Sequence, residues 1–183
     1  MLFRSYLTNL VPVAVGNAYG RPSLDLLEEM IYRRIGSEEP ALMNVDDHGY
    51  PIVEGQLNLT LRDFARWSYP FAAKGLSMSG EQVIPQSWID ATLDYSDERR
   101  AAFLRSEHAE AFPYPDIQYH NKAWVLDPRA GIMTMLGIHG QFCYVDVPRE
   151  LMIVGYSSYP AQTHPLMGDA MVQIWNRVTE EIT

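Results

Sequence analysis

The sequence predicts an α/β protein of the α+β kind, an antiparallel sheet flanked by helices. Three observations carry that prediction. Residues 1–110 hold helical stretches around one irregular excursion. Residues 116–160 hold four short apolar segments separated by tight-turn residues. Residues 164–182 return to a 3.6-residue apolar period. Short strands joined by tight turns form a meander, and a helix that follows packs on the sheet. The reading is a single domain over 1–183, made of these three parts.

Residues 5–19 can form a mostly apolar helix, weakened by Pro12 and Gly16. SLDLLEEMIYRRIG makes a better one: Ser23 as N-cap, acids in its first half, arginines in its last turn and Gly36 as stop. Residues 37–58 carry turn signals at Asp47-His48-Gly49 and Tyr50-Pro51 and read as the excursion. LTLRDFARWSYPFAAKG follows as a helix with Thr60 as N-cap and Asp63 three residues on. Its buried face is expected to hold Leu61, Phe64, Ala65 and Trp67 or Ser68. Pro85 opens another helix, and residues 97–107 a charged third. Then IQYHNKAWVLD, GIMTMLG, QFCYVDV and ELMIVGYSS read as four strands. PLMGDAMVQIWNRVTEEI closes the series, with Met167, Met171, Ile174, Trp175 and Val178 on one face.

Composition limits the functional classes. The 183 residues suffice for a sizeable core, 47% are apolar and 20% charged, and the net charge is −9. An acidic chain argues against a nucleic-acid partner, which needs a basic stripe. No apolar run of 18 residues appears, so no membrane partner is expected. Cys143 is the single cysteine, which excludes an internal disulfide. With no signal-peptide pattern at the start, a cytoplasmic setting is favoured.

Candidate chemistry is sparse. The five histidines form no HxxxH or HExxH pattern, so no metal and no cofactor are expected. His139 and Cys143 could share a face of one strand; a turn histidine beside a core cysteine is the simpler reading, and a thiol dyad the rival. The G-x-S-x-G elbow is absent, its nearest approach being Gly155-Tyr156-Ser157-Ser158-Tyr159. A Ser-x-x-Lys pair is absent too. Of the two lysines, Lys74 follows Phe71 by three residues and Lys122 follows Tyr119. Adjacent carboxylates at 46–47, 28–29 and 180–181 sit in polar surroundings and read as solvated surface. Tyr6, near Asn9, is a weak general-base candidate beside the simpler reading of an amphipathic helix tyrosine.

Three stretches together resemble one family. Glu54-Gly55-Gln56-Leu57-Asn58-Leu59-Thr60-Leu61-Arg62-Asp63-Phe64-Ala65-Arg66 looks like a GG-x-x-x-T-x-x-D-L-A-R helix entry. Tyr119 to Pro128 resembles a strand of the nylon-oligomer hydrolases. LGIHGQFCYVD, residues 136–146, followed by Pro148 and Glu150, resembles a glycine-rich strand entry with G-Q-x-x-x-x-D-P. With the order of elements, they resemble the C-terminal part of the serine β-lactamase and penicillin-binding-protein superfamily over roughly residues 10–182. The nearest likeness is to 6-aminohexanoate-dimer hydrolases and related esterases.

The resemblance implies a β-lactamase/transpeptidase-like fold, C-terminal portion only, and acyl transfer through a serine acyl-enzyme. Met135-Leu136-Gly137 falls on the family's Lys-Thr-Gly position. The backbone N–H of Ile138 would then be one oxyanion donor, with Gly137 admitting substrate closely. Apolar Met135 and Leu136 disfavour β-lactams and point to esters or small amides. His139 and Gln141 would lie beyond Ile138, as supports of the turn rather than reacting groups and as substrate-side candidates. Trp124, Tyr119 and Phe142 become candidates for a pocket wall, with core packing the simpler role for at least two of them. The family's tyrosine motif falls near Phe3-Arg4-Ser5, or on Tyr6 after a slip of three. The Ser-x-x-Lys helix would lie upstream, so the chain is expected to be a C-terminal fragment, inactive alone. Its partners would be a small ester or amide substrate once completed, and a complementing chain or a second copy. The alternative is a non-catalytic binding or assembly module, or a relic of this fold.

Overall fold

A computed structural model describes residues 5–110 and 112–182; of Ser5 and Tyr6 it describes the backbone only. Helix α1, Ser5–Tyr19, passes through Pro12 without breaking. Helix α2, Ser23–Leu27, runs into a π-turn over Glu28–Tyr32. Ser23 is not its cap: Pro22 occupies the N-cap position, and no side-chain cap bond forms. Proline there supplies the fixed φ that starts a helix and has no N–H to satisfy. The excursion contains one small antiparallel pair, β1 (Leu42–Met43) with β2 (Leu57–Asn58).

Helix α3, Leu61–Ala72, is capped as its sequence predicts, the Thr60 hydroxyl accepting from the Asp63 N–H at 3.1 Å. Its buried residues are Asp63, Ser68, Pro70 and Ala72, while Leu61 is exposed. Ser68 is buried and Phe64 packs against the core as expected, whereas Leu61 faces out and Asp63, Pro70 and Ala72 take inward positions. The inward carboxylate of Asp63 receives N–H bonds from Glu38 (2.8 Å) and Glu39 (3.0 Å) and holds the entry of the excursion against the helix. Helices α4 (Gln86–Leu93) and α5 (Asp97–Leu104) follow, the latter capped by Ser96.

Five strands, not four, form the main sheet: β3 (Gln118–His120), β4 (Ala123–Asp127), β5 (Ile132–Gly137), β6 (Gln141–Asp146) and β7 (Leu151–Gly155). They pair antiparallel in chain order. IQYHNKAWVLD is thus a hairpin rather than one strand. Asn121 and Lys122 both take positive φ, 48° and 66°, the geometry of a two-residue hairpin turn usually marked by glycine. Helix α6, Pro165–Ile182, completes the chain's described order.

Strand alternation divides the apolar side chains between two layers. Ala123, Val125, Met133, Cys143 and Val145 meet α3 and α4 through Phe64, Phe71, Ala72 and Ile89. Leu126, Ile132, Tyr144 and Ile153 meet α5 and α6 through Phe103, Met171 and Trp175. The Trp175 ring lies 5.1 Å from Tyr144 and 5.5 Å from Phe142, fully buried. Met167 and Ile174, expected on the inner face of α6, are exposed.

Candidate active site

The end of β5 is where the sheet opens. Its pairing with β6 continues to Leu136↔Phe142 and Gly137↔Gln141. Its register with β4 reaches only Trp124↔Thr134. The last residues of β5 therefore extend past that pairing, and Gly137 leads into a short 3₁₀ turn, Ile138–Gly140. The Ile138 residue is 60% exposed.

A cavity of about 710 Å³ lies against this turn. Leu136, Gly137, Ile138, Gly140 and Gln141 form its strand side. Trp124, His108, Phe112 and Pro113 form a second wall. Tyr159, Gln162, Thr163 and His164 lead into the third, built from α6 at Gly168, Asp169, Met171 and Val172. Its size lies in the range of small-molecule sites, and its walls are mostly apolar with a few polar groups. Trp124 is held edge-on by His108 (5.1 Å), Tyr119 (5.4 Å) and Phe112 (5.9 Å).

The residues singled out from sequence separate here. Gly137, Ile138, Gln141 and Trp124 line the cavity; Tyr119 and His139 do not. Tyr119 and Phe142 pack in the layer beneath α6, and burial pushes the Tyr119 phenol up to about 12. The His139 Nδ1 lies 2.9 Å from the Tyr159 carbonyl oxygen. The side chain of Tyr6, and residues 3–4, lie outside the described residues. Gly137 sits at φ −112°, ψ 160°, open to any residue, but a Cβ would come within 3.0 Å of the Gln141 Cβ.

Gly140 is different. At φ +86° it stands against the Tyr159 ring, and a Cβ would fall 2.4 Å from that ring's Cζ. Gly140→Ala is expected to destabilise the chain by about 2–4 kcal/mol, from backbone strain and overpacking together. A thermal unfolding midpoint unchanged from wild type would contradict this.

Cys143 is fully buried, and burial pushes its thiol up to about 12. The neutral thiol faces the α3 layer, whereas the His139 ring is engaged at the turn. A Cys-His dyad is not formed. The native chain is expected to resist a thiol-specific reagent and to react only on unfolding; rapid stoichiometric labelling at neutral pH would refute that.

Sequence reasoning missed most of the second and third walls. His108, Phe112, Tyr159, Gln162 and His164 come from segments distant in the chain, and no local pattern signals that they meet. Among the described residues, no group of three or more His, Cys, Asp or Glu could hold a metal ion, and no helix is long and apolar enough to cross a membrane.

No family model matches the chain. The chain is 26% identical over 153 residues to the 6-aminohexanoate-dimer hydrolase of Paenarthrobacter ureafaciens, a match over 84% of this chain and 38% of that protein. A solved structure from Bacillus anthracis, provisionally named a 6-aminohexanoate-dimer hydrolase, superposes with a TM-score of 0.78 at 22% identity. That match covers 98% of this chain and 44% of the other. The chain thus spans about two fifths of the length of these two relatives. The α+β fold, an antiparallel sheet between helices, is theirs in that part.

Proposed function

We propose, from the premise that this chain is a relative of 6-aminohexanoate-dimer hydrolases matching their C-terminal part, that it supplies one half of an acyl-transfer site. The observation that carries the reading is the convergence of the cavity on the open end of β5. In this reading the Ile138 N–H is one of two donors to the oxyanion of a tetrahedral intermediate. Such donors act because they are already oriented where negative charge develops. Trp124, Leu136 and Met171 would receive the apolar part of an ester or small amide.

The nucleophile would come from elsewhere. No Ser-x-x-Lys pair occurs in these 183 residues, so the serine, its lysine and the second oxyanion donor would belong to another polypeptide segment. The exposed residues Leu7, Leu10, Val11 and Val15 on α1 support such a companion. Their spacing of three and four places an apolar stripe on one side of the helix.

Alone, the chain is expected to hydrolyse p-nitrophenyl esters no faster than background, because removing the nucleophile abolishes most of the rate. Mixed or co-expressed with the nucleophile-bearing portion of a related hydrolase, it is expected to restore turnover with a covalent acyl-serine on the partner. Turnover by the chain alone, with a burst and an acyl adduct, would overturn the missing-nucleophile reading. A stable complex with no turnover on any ester or amide would favour the assembly-module reading.

A further inference from the structure

The turn that carries Ile138 is fastened from outside its own hairpin. His139 holds the left-handed conformation, φ 60° and ψ 18°, which side chains other than asparagine, aspartate and histidine seldom adopt. Its N–H donates to the Gln162 carbonyl at 3.0 Å, and its own carbonyl accepts from the Tyr159 N–H at 3.0 Å. Its ring Nδ1 lies 2.9 Å from the Tyr159 carbonyl oxygen. Gln141 repeats the fastening one step along the strand. Its Nε2 donates to the Ser157 carbonyl at 2.7 Å, and its Oε1 accepts from the Ser157 N–H at 3.2 Å. The 157–162 segment is in turn tied to α6, the Tyr159 hydroxyl donating to the Met167 carbonyl at 3.2 Å.

A carbonyl oxygen can only accept, so the ring bond requires the proton on Nδ1. We infer that His139 is a positioning residue whose Nδ1–H and left-handed backbone lock the Ile138 turn onto the 157–162 segment and thereby aim the Ile138 N–H at the cavity. Its importance for catalysis rests on the acyl-transfer reading above; the lock itself is independent of turnover. Tyr159 and Gln162 also line the cavity, so the wall that meets a ligand and the turn that presents the amide are one body. A donor pre-set in this way needs no reorganisation when charge develops.

The test uses the ¹⁵N-labelled chain and NMR. Wild type is expected to show the neutral His139 ring as the Nδ1–H tautomer, with an Ile138 amide order parameter of about 0.85. His139→Asn is expected to retain that order, since asparagine tolerates the left-handed region and offers an Nδ2–H to the same carbonyl. His139→Gly keeps the backbone freedom but has no donor. It is expected to drop the Ile138 order parameter below about 0.6 while the Cys143 and Trp175 signals stay in place. An Nε2–H tautomer in wild type, or an Ile138 amide as ordered in His139→Gly as in wild type, would overturn the inference. So would core signals collapsing together with that of Ile138, because His139 would then be a general fold residue. None of these outcomes depends on hydrolysis, so failed complementation and a failed lock are separate results.

Discussion

Ile138→Pro is expected to lower kcat of the complemented hydrolase by about 10²–10³-fold with little change in KM. The substitution deletes one backbone N–H and little else. Gly137, at φ −112° and ψ 160°, already has the extended conformation that a residue before proline adopts. Ile138 itself is not among the residues with positive φ, so its backbone lies on the side of the map a proline ring requires. Its side chain is exposed at the cavity, so Ile138→Val is expected to leave kcat within about twofold and serves as the control. An oxyanion donor acts in the transition state and hardly in the ground state, so the loss belongs in kcat. Equal losses for both substitutions would assign the effect to the side chain and remove Ile138 N–H from the mechanism.

Asp63→Ala is expected to cost about 3–5 kcal/mol of stability, the range for breaking a buried charged network. The carboxylate is fully buried and accepts from the Glu38 and Glu39 N–H groups and from the Thr60 hydroxyl, with an Arg66 nitrogen 3.6 Å away. Burial alone would raise its pKa. The two backbone donors, Thr60 and Arg66 outweigh that and hold the group below the ordinary carboxylate range. A depressed folded pKa stabilises the fold above the unfolded value of about 3.9, and the contribution is lost as pH falls through the folded value. Asp63→Ala should therefore lower the urea midpoint at pH 7 and flatten the acid limb of the stability curve. An unchanged acid limb in the variant would show that the carboxylate does not carry the pH dependence.

The meander was legible because its residues alternate. Met133, Met135, Cys143 and Val145 fall on one face of their strands, and Ile132, Leu136, Phe142 and Tyr144 on the other. The hairpin at Asn121-Lys122 was not, because the turn takes two left-handed residues without the glycine that normally announces them. Asp63 was legible as a capping partner but not as a fully buried carboxylate; only the backbone of residues 38–39, remote in sequence, makes that burial tolerable. At the site, the glycine-rich entry near Ile138 stood out locally. Tyr159 and Gln162, which hold it, could not, since both act largely through main-chain atoms that any residue shares.

The two-layer arrangement also sets an order of events during synthesis. The strands pair with their neighbours in sequence, so most sheet contacts are short in range and can form quickly. The α3 and α4 layer is already present when the strands emerge from the ribosome. The helix bearing Met171 and Trp175 is translated after all five strands. Until then the Tyr144 and Phe142 side of the sheet has no cover from that helix. A nascent chain whose five strands have left the ribosome while α6 is still inside it would expose that aromatic surface, which makes this stage the point where a chaperone has most to bind.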